Sequence, residues 1–139
     1  MLGVDVGTRR VGLAVSDRSR TLARPLDTFQ VASTAAAVAR VVEVVNRLRA
    51  EEDGLDAIVV GLPRRLDGSA SEATERVAAF IALLRTKTAV DVATEDERLS
   101  SREAESRLAL RDRDWRSRKA KLDAAAAAII LQDYLDRTA

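Results

Sequence analysis

Leu2-Gly3-Val4-Asp5-Val6-Gly7-Thr8-Arg9-Arg10-Val11-Gly12-Leu13-Ala14-Val15-Ser16 is the stretch on which the fold turns. Leu2, Val4 and Val6 alternate with Gly3, Asp5 and Gly7, and Val11, Leu13 and Val15 alternate on the return, so the spacing predicts a β-hairpin. Asp5 is the exception in an otherwise apolar strand. Desolvating a carboxylate costs several kcal/mol unless it is hydrogen-bonded, paired or metal-bound, so the acid calls for a partner. Gly7 permits a positive φ or a close backbone approach, and Thr8, Arg9 and Arg10 add a hydroxyl and two cations beside it. The plain alternative is an ordinary hairpin whose acid is satisfied by local amides.

Outward from the hairpin, residues 21–30 read as a third strand, bent or at a sheet edge because of Pro25. Ser33 or Thr34 caps a helix with Val38, Val41, Val42, Val45 and Leu48 at helical spacing, and Gly54 suits its C-terminal cap. Residues 55–60 form a short apolar run expected of a strand buried on both faces beside a parallel neighbour. Gly61-Leu62-Pro63 stops it. Ser69 and Glu72 have capping-box spacing for a helix through Val77, Phe80, Ile81 and Leu84. Arg64 and Arg65 precede that helix, where they serve either as phosphate contacts or as a solvated loop.

Residues 89–95 read as a strand that delivers Glu95, Asp96 and Glu97 to its carboxyl end, the edge at which open α/β sheets bind ligands. Ser100 and Glu103 have the spacing to cap a further helix carrying Ala104 and Leu108. Residues 111–121 hold six cations, two acids and the only tryptophan without apolar periodicity, and are expected to form a mobile loop. There Trp115, Arg116, Arg118 and Lys119 suit base stacking and phosphate contact, against the plainer reading of a solubilising linker. A last helix is expected from about residue 118 to 134, its alanine run at 124–128 letting it lie close to a sheet. Asp123, near the start, either complements the helix dipole or brings a third carboxylate to Asp5. Strands alternating with helices after an antiparallel start predict an α/β fold: a mixed five-stranded sheet, its first three strands antiparallel, flanked by helices.

A chain of 139 residues is expected to form a single domain, 1–139. With neither histidine nor cysteine, it lacks the usual general base and the usual transition-metal ligands, so a metal here would sit on oxygen, which favours Mg²⁺ or Mn²⁺. No stretch reads as a membrane span or a signal peptide, so a cytoplasmic location is expected. The net charge of +1 is unevenly spread. Residues 101–121 hold eight Lys/Arg against four Asp/Glu, and residues 51–100 six against eleven, a polarity that suits a polyanion held by cations and cut at carboxylates.

Asp5, Glu97 and Asp123 are the acids whose positions suggest a common hard-oxygen site, with Asp96 as well placed as Glu97 on spacing alone. Glycosidase chemistry, with two unaided carboxylates, fits poorly beside so many basic segments. The motifs Val4-Asp5-Val6-Gly7-Thr8, Val11-Gly12-Leu13-Ala14-Val15-Ser16-Asp17, Ala23-Arg24-Pro25-Leu26, Ile58-Val59-Val60-Gly61-Leu62-Pro63, Asp67-Gly68, Asp96-Glu97-Arg98-Leu99-Ser100 and Leu122-Asp123-Ala124-Ala125-Ala126 resemble, in order, the YqgF/RuvX family of RNase H-like nucleases. The resemblance implies an RNase H-like fold and divalent-metal-dependent cleavage of nucleic acid, either 5′-end processing of pre-16S rRNA or resolution of Holliday junctions. It places the family's acids on Asp5, Glu97 and Asp123, and its basic and small residues on Gly7, Thr8, Arg98 and the Gly61-Leu62-Pro63 turn.

Two other classes compete. An ATP-handling protein of the actin and sugar-kinase type also uses an Asp-x-Gly-Thr hairpin, but clamps nucleotide between two domains of this kind, for which the length is insufficient. A non-catalytic RNA-binding or ribosome-assembly factor would keep fold and acids without cleavage. The expected partners are pre-rRNA or branched DNA, with the chain acting as a monomer or, on a symmetric junction, as a homodimer. Phosphate contacts are assigned to Arg9, Arg10, Arg64, Arg65, Arg98 and the 111–121 run. Arg116→Ala or Lys119→Ala should therefore weaken nucleic-acid binding and reduce the slope of log K against log salt by about one each, measured by anisotropy titration at several salt concentrations.

Overall fold

The computed structural model describes residues 1–97 and 115–139, with side chains for residues 1–97 and 123–139. The hairpin forms as its alternation requires. Strand β1 (Leu2–Val6) pairs antiparallel with β2 (Arg10–Ser16), placing Val4 opposite Leu13 and Asp5 opposite Gly12. Gly7 closes the turn by donating its N–H to the Arg10 carbonyl at 2.8 Å. Its φ is not positive; a Cβ there would lie 3.0 Å from the same carbonyl oxygen, so close approach is the reason for glycine.

Beyond β2, the Asp17 carboxylate accepts hydrogen bonds from the Thr21 and Leu22 amides and the Ser19 hydroxyl. The two amides hold its carboxyl below the usual carboxylate range. Strand β3 (Ala23–Gln30) lies at the sheet edge, antiparallel to β2, with a register irregularity at Leu13 and Ala14 where Pro25 pairs. An edge is where a residue without an N–H donor is tolerated.

Helix α1 (Thr34–Ala50) is capped by Ser33, whose side chain accepts from the Ala36 amide. Gly54 is left-handed, with φ of +64°, but is not the cap. Extended Glu51 terminates the helix by donating to the Leu48 carbonyl, and Gly54 closes the following turn onto Glu51. Strand β4 (Ala57–Leu62) lies parallel to both β1 and β5 (Asp91–Asp96), and Ile58, Val59 and Val60 are fully buried. Helix α2 (Glu72–Lys87) starts from a capping box of Ser71 and Thr74 instead of the expected Ser69 and Glu72. The Ser69 hydroxyl is committed to Asp67 at 2.6 Å, which removes it from competition.

The last helix, α3 (Trp115–Thr138), begins earlier than expected. Residues 115–121, the described part of the 111–121 run, are helical backbone and not the expected mobile loop, while 111–114 lie outside the described residues. Lysine, arginine and alanine are strong helix formers and the segment holds no glycine or proline, so absence of apolar periodicity misled. The helix expected to begin at Ser100 lies outside the described residues.

The strand order is β3-β2-β1-β4-β5. One face of the sheet buries Leu2, Val4, Val11, Leu13, Ile58 and Val60 against α1 and α2, while the other packs Ala14 and Val59 against Ala127, Ile130, Leu131 and Leu135 of α3. Small residues meet on this second face. A Cβ on Gly3 would lie 2.8 Å from the Leu131 Cβ and 2.9 Å from the Ala127 carbonyl oxygen. At the far end of α3, Gln132 bonds to both the Ala23 amide and the Thr21 carbonyl, and Arg137 pairs with Glu95, which is only 2% exposed. Leu131→Ala, at a fully buried position, should destabilise the fold by about 2–5 kcal/mol, read by denaturant unfolding.

Candidate active site

Directly opposed residues of an antiparallel pair put their side chains on one face, so Asp5 points to the same side of the sheet as its partner Gly12. That side is the α3 side. A Cβ on Gly12 would overlap the carbonyl group of Asp123, so the backbone of α3 rests on the bare Cα of β2. Helical periodicity sets Asp123 in line with Ala127 and Leu131, four and eight residues on, both of which face the sheet. The same register that packs α3 thus turns an acid near its start toward the sheet beside Asp5.

Glu97 arrives from the opposite flank. The β1–β4 register ends at Val4 and Val60; carried one residue further, it brings Gly61 level with Asp5. A Cβ on Gly61 would lie 2.6 Å from Glu97 Oε1 and 2.5 Å from Ile130 Cδ1, so Glu97 lies over Gly61 on the α3 side. Asp5, only 9% exposed, therefore stands between two glycines, one admitting the backbone that carries Asp123 and the other the side chain of Glu97.

Strand alternation separates Asp96 from Glu97. Asp96 pairs with Leu62 and Glu95 with Gly61, so Glu95 and Glu97 share the α3 side while Asp96 turns to the other. Glu95 is engaged by Arg137, whose guanidinium is held above its usual pKa by that hydrogen bond. Sequence reading missed this pair. Its only signal was the two-residue offset between Glu95 and Glu97.

The basic residues divide. Arg10 turns inward, its Nε 3.4 Å from Asp123 Oδ2, both side chains 29% exposed. Thr8 and Arg9 are exposed at the hairpin turn, and the Arg9 carbonyl accepts from Val31 at 2.8 Å. Arg64 and Arg65 are exposed, but they do not adjoin a vacant helix N-terminus. Helix α2 starts beyond them, and Glu72 and Glu75 already occupy its first turn. Arg64 instead lines a cavity of about 290 Å³ with Leu62, Thr94, Glu95, Asp96 and Arg137 at the ends of β4 and β5. Arg98 and the side chains of Trp115, Arg116, Arg118 and Lys119 lie outside the described residues.

The donor chemistry is all oxygen and fits a hard divalent ion. Among the described residues, no three acidic side chains form a ready-made ion-binding group; at Asp123 the neighbouring charge is Arg10. The two glycines should respond differently to alanine. Gly12→Ala meets backbone and should cost about 1–3 kcal/mol through overpacking, whereas Gly61→Ala meets the ends of flexible side chains and should displace Glu97 at smaller cost. Denaturant unfolding of the two variants checks the order.

The architecture and the amino-acid sequence have known counterparts. A family model described as RuvX, Holliday junction resolvase, matches residues 1–137. A protein of Salinibacter ruber named as a pre-16S rRNA nuclease is 43% identical over 141 residues, covering 99% of this chain and 93% of its own length. A protein of the same name from Anaeromyxobacter dehalogenans strain 2CP-1 is 41% identical over 138 residues, covering 99% and 97%. Among solved structures, Thermus thermophilus RuvC matches with a TM-score of 0.58 at 17% identity, over 99% of this chain and 96% of that one. RuvC of the same organism in complex with a Holliday junction substrate matches with a TM-score of 0.56 at 20% identity, over 99% and 95%. The likeness to RuvC makes the fold RNase H-like, and a family model spanning nearly every residue decides membership: the chain belongs to the RuvX family, also called YqgF, whose nuclease and resolvase names describe hydrolases of phosphodiester bonds.

Proposed function

We propose that this protein is a divalent-metal-dependent nuclease that processes the 5′ end of pre-16S rRNA. The observation that supports the reading is that Asp5, Glu97 and the backbone at Asp123 lie on one face of the sheet, beside Gly12 and Gly61. The names of the relatives point to the same substrate.

In this reading Asp5 from β1, Glu97 from the end of β5 and Asp123 from α3 hold Mg²⁺ or Mn²⁺. Such an ion, when bound, supplies the acidity toward water that a histidine-free site lacks and offsets the charge that builds as phosphorus becomes five-coordinate. Asp5 is the fixed member, set in the middle of the sheet. Asp123 is shared with Arg10, whose guanidinium balances this carboxylate. Exposed Arg9, Arg64 and Arg65, with the hydroxyl of Thr8, hold phosphates along the sheet edge, and Arg98 with Trp115, Arg116, Arg118 and Lys119 extends that contact. The chain itself comprises one domain and acts in the cytoplasm.

A second reading, Holliday-junction resolution, is favoured by the family description and requires two active sites, hence a C₂ dimer. Parallel cleavage assays separate the two, using a pre-16S 5′ leader and a synthetic four-way junction with Mg²⁺, Mn²⁺ and EDTA lanes. Cutting of the leader alone is the expected result; cutting of the junction alone selects the second reading, and cutting of neither leaves a binding factor. Losing a direct ligand costs more than the roughly 10–100-fold that follows loss of a ligand's supporting partner. Asp5→Asn should therefore abolish cleavage while binding by anisotropy stays nearly unchanged, and cleavage at the wild-type rate would overturn the assignment.

A further inference from the structure

Two large apolar side chains stand exposed among the described residues, Leu22 at 65% and Leu66 at 92%. A single exposed leucine is ordinary on a protein surface, but the loop around Leu66 is built to hold it outward. The Arg65 amide donates to the Ser69 carbonyl at 3.0 Å and the Gly68 amide to the Arg65 carbonyl at 2.8 Å. Both the amide and the hydroxyl of Ser69 donate to Asp67 Oδ1, at 2.9 and 2.6 Å. Gly68 takes φ of +89°, a left-handed conformation that suits glycine. At the base of the loop the Thr74 hydroxyl of α2 donates to the Pro63 carbonyl. A turn closed on itself and tied to a helix does not fold Leu66 back onto the core.

Its position is as telling as its exposure. Leu66 follows Gly61, the residue beneath Glu97, by five residues, and Arg64 and Arg65 precede it directly. The one acid of the tip, Asp67, is engaged by Ser69. An exposed apolar point directly after two arginines, Arg64 of which donates back to the Gly68 carbonyl at 3.4 Å, suits the neighbouring bases and phosphates of a nucleic-acid strand better than the apolar patch with polar rim of a protein partner.

We propose that Leu66 is a wedge that enters between adjacent bases of the substrate strand while Arg64 and Arg65 hold the flanking phosphates. The proposal rests on the nuclease reading and deepens it. Apolar side chains inserted between base steps unstack them at a cost that is lowest at flexible, mismatched or bulged steps. Leu66 thereby selects which step of a structured RNA is presented to the acids, a choice that phosphate contacts alone do not make.

The test uses the Asp5→Asn protein, so that RNA stays intact, and a pre-16S leader carrying 2-aminopurine at successive positions. Binding should raise fluorescence several-fold at one or two positions. Adding Leu66→Ser should remove that rise and weaken affinity roughly tenfold, whereas Leu66→Met should retain it. Full affinity and unchanged unstacking in Leu66→Ser sink the wedge alone. Absence of RNA binding by Asp5→Asn protein sinks the nuclease reading and the wedge together. A concentration-dependent dimer in ultracentrifugation that Leu66→Ser abolishes also overturns the wedge, by assigning the tip to contact between copies.

Discussion

The contact between the backbone of α3 and the bare Cα of Gly12 is the constraint on which the rest of the structure depends. Because the Asp123 carbonyl occupies the space a side chain would take, the helix sits as close to the sheet as backbone sterics allow. Gly3 extends the same floor beneath Ala127 and Leu131. A helix lying this low sets the backbone of Asp123 directly over Gly12, the strand partner of Asp5, and larger residues at these positions would lift it away.

Charge is arranged along that helix as deliberately as volume. Near its start Arg10 faces Asp123, and at its far end Arg137 pairs with buried Glu95. Each pair links α3 to a different strand, β2 in one case and β5 in the other, so the helix is fastened across the width of the sheet. A buried carboxylate without its cation is costly, which ties the far end of α3 to the strand that also delivers Glu97. The acids proposed to act together are thus held by the contacts that stabilise the fold.

Much of this was legible beforehand. The two-residue alternation of Leu2, Val4, Val11 and Leu13 determined the hairpin, the apolar run at Ile58-Val59-Val60 marked a strand with parallel neighbours, and Pro25 marked an edge. Ser33 was legible as one of two candidate caps beside Thr34, but Ser69 was not distinguishable from Ser71. Both are serines with a suitable residue three positions on, and what decides between them is that Asp67 already holds Ser69. Residues 115–121 are helical although a helix-forming composition without an apolar stripe resembles a solvated loop. The split between Arg9 and Arg10 was equally invisible, since adjacent cations at a turn differ only in which side of the strand they leave.

By itself the order of residues determined the local elements, the oxygen-only character of any metal site, and Asp5 as an acid in need of a partner. These are properties of short windows and of composition, set by backbone periodicity and side-chain chemistry. Tertiary structure alone decided that Glu97 and not Asp96 shares the face of Asp5, that Gly12 and Gly61 clear the space on either side of it, and that Arg10 stands against Asp123. Those outcomes depend on strand register and on how closely a helix approaches the sheet. Both are set by packing between residues far apart in the chain, where a shift of one position moves a side chain to the opposite face.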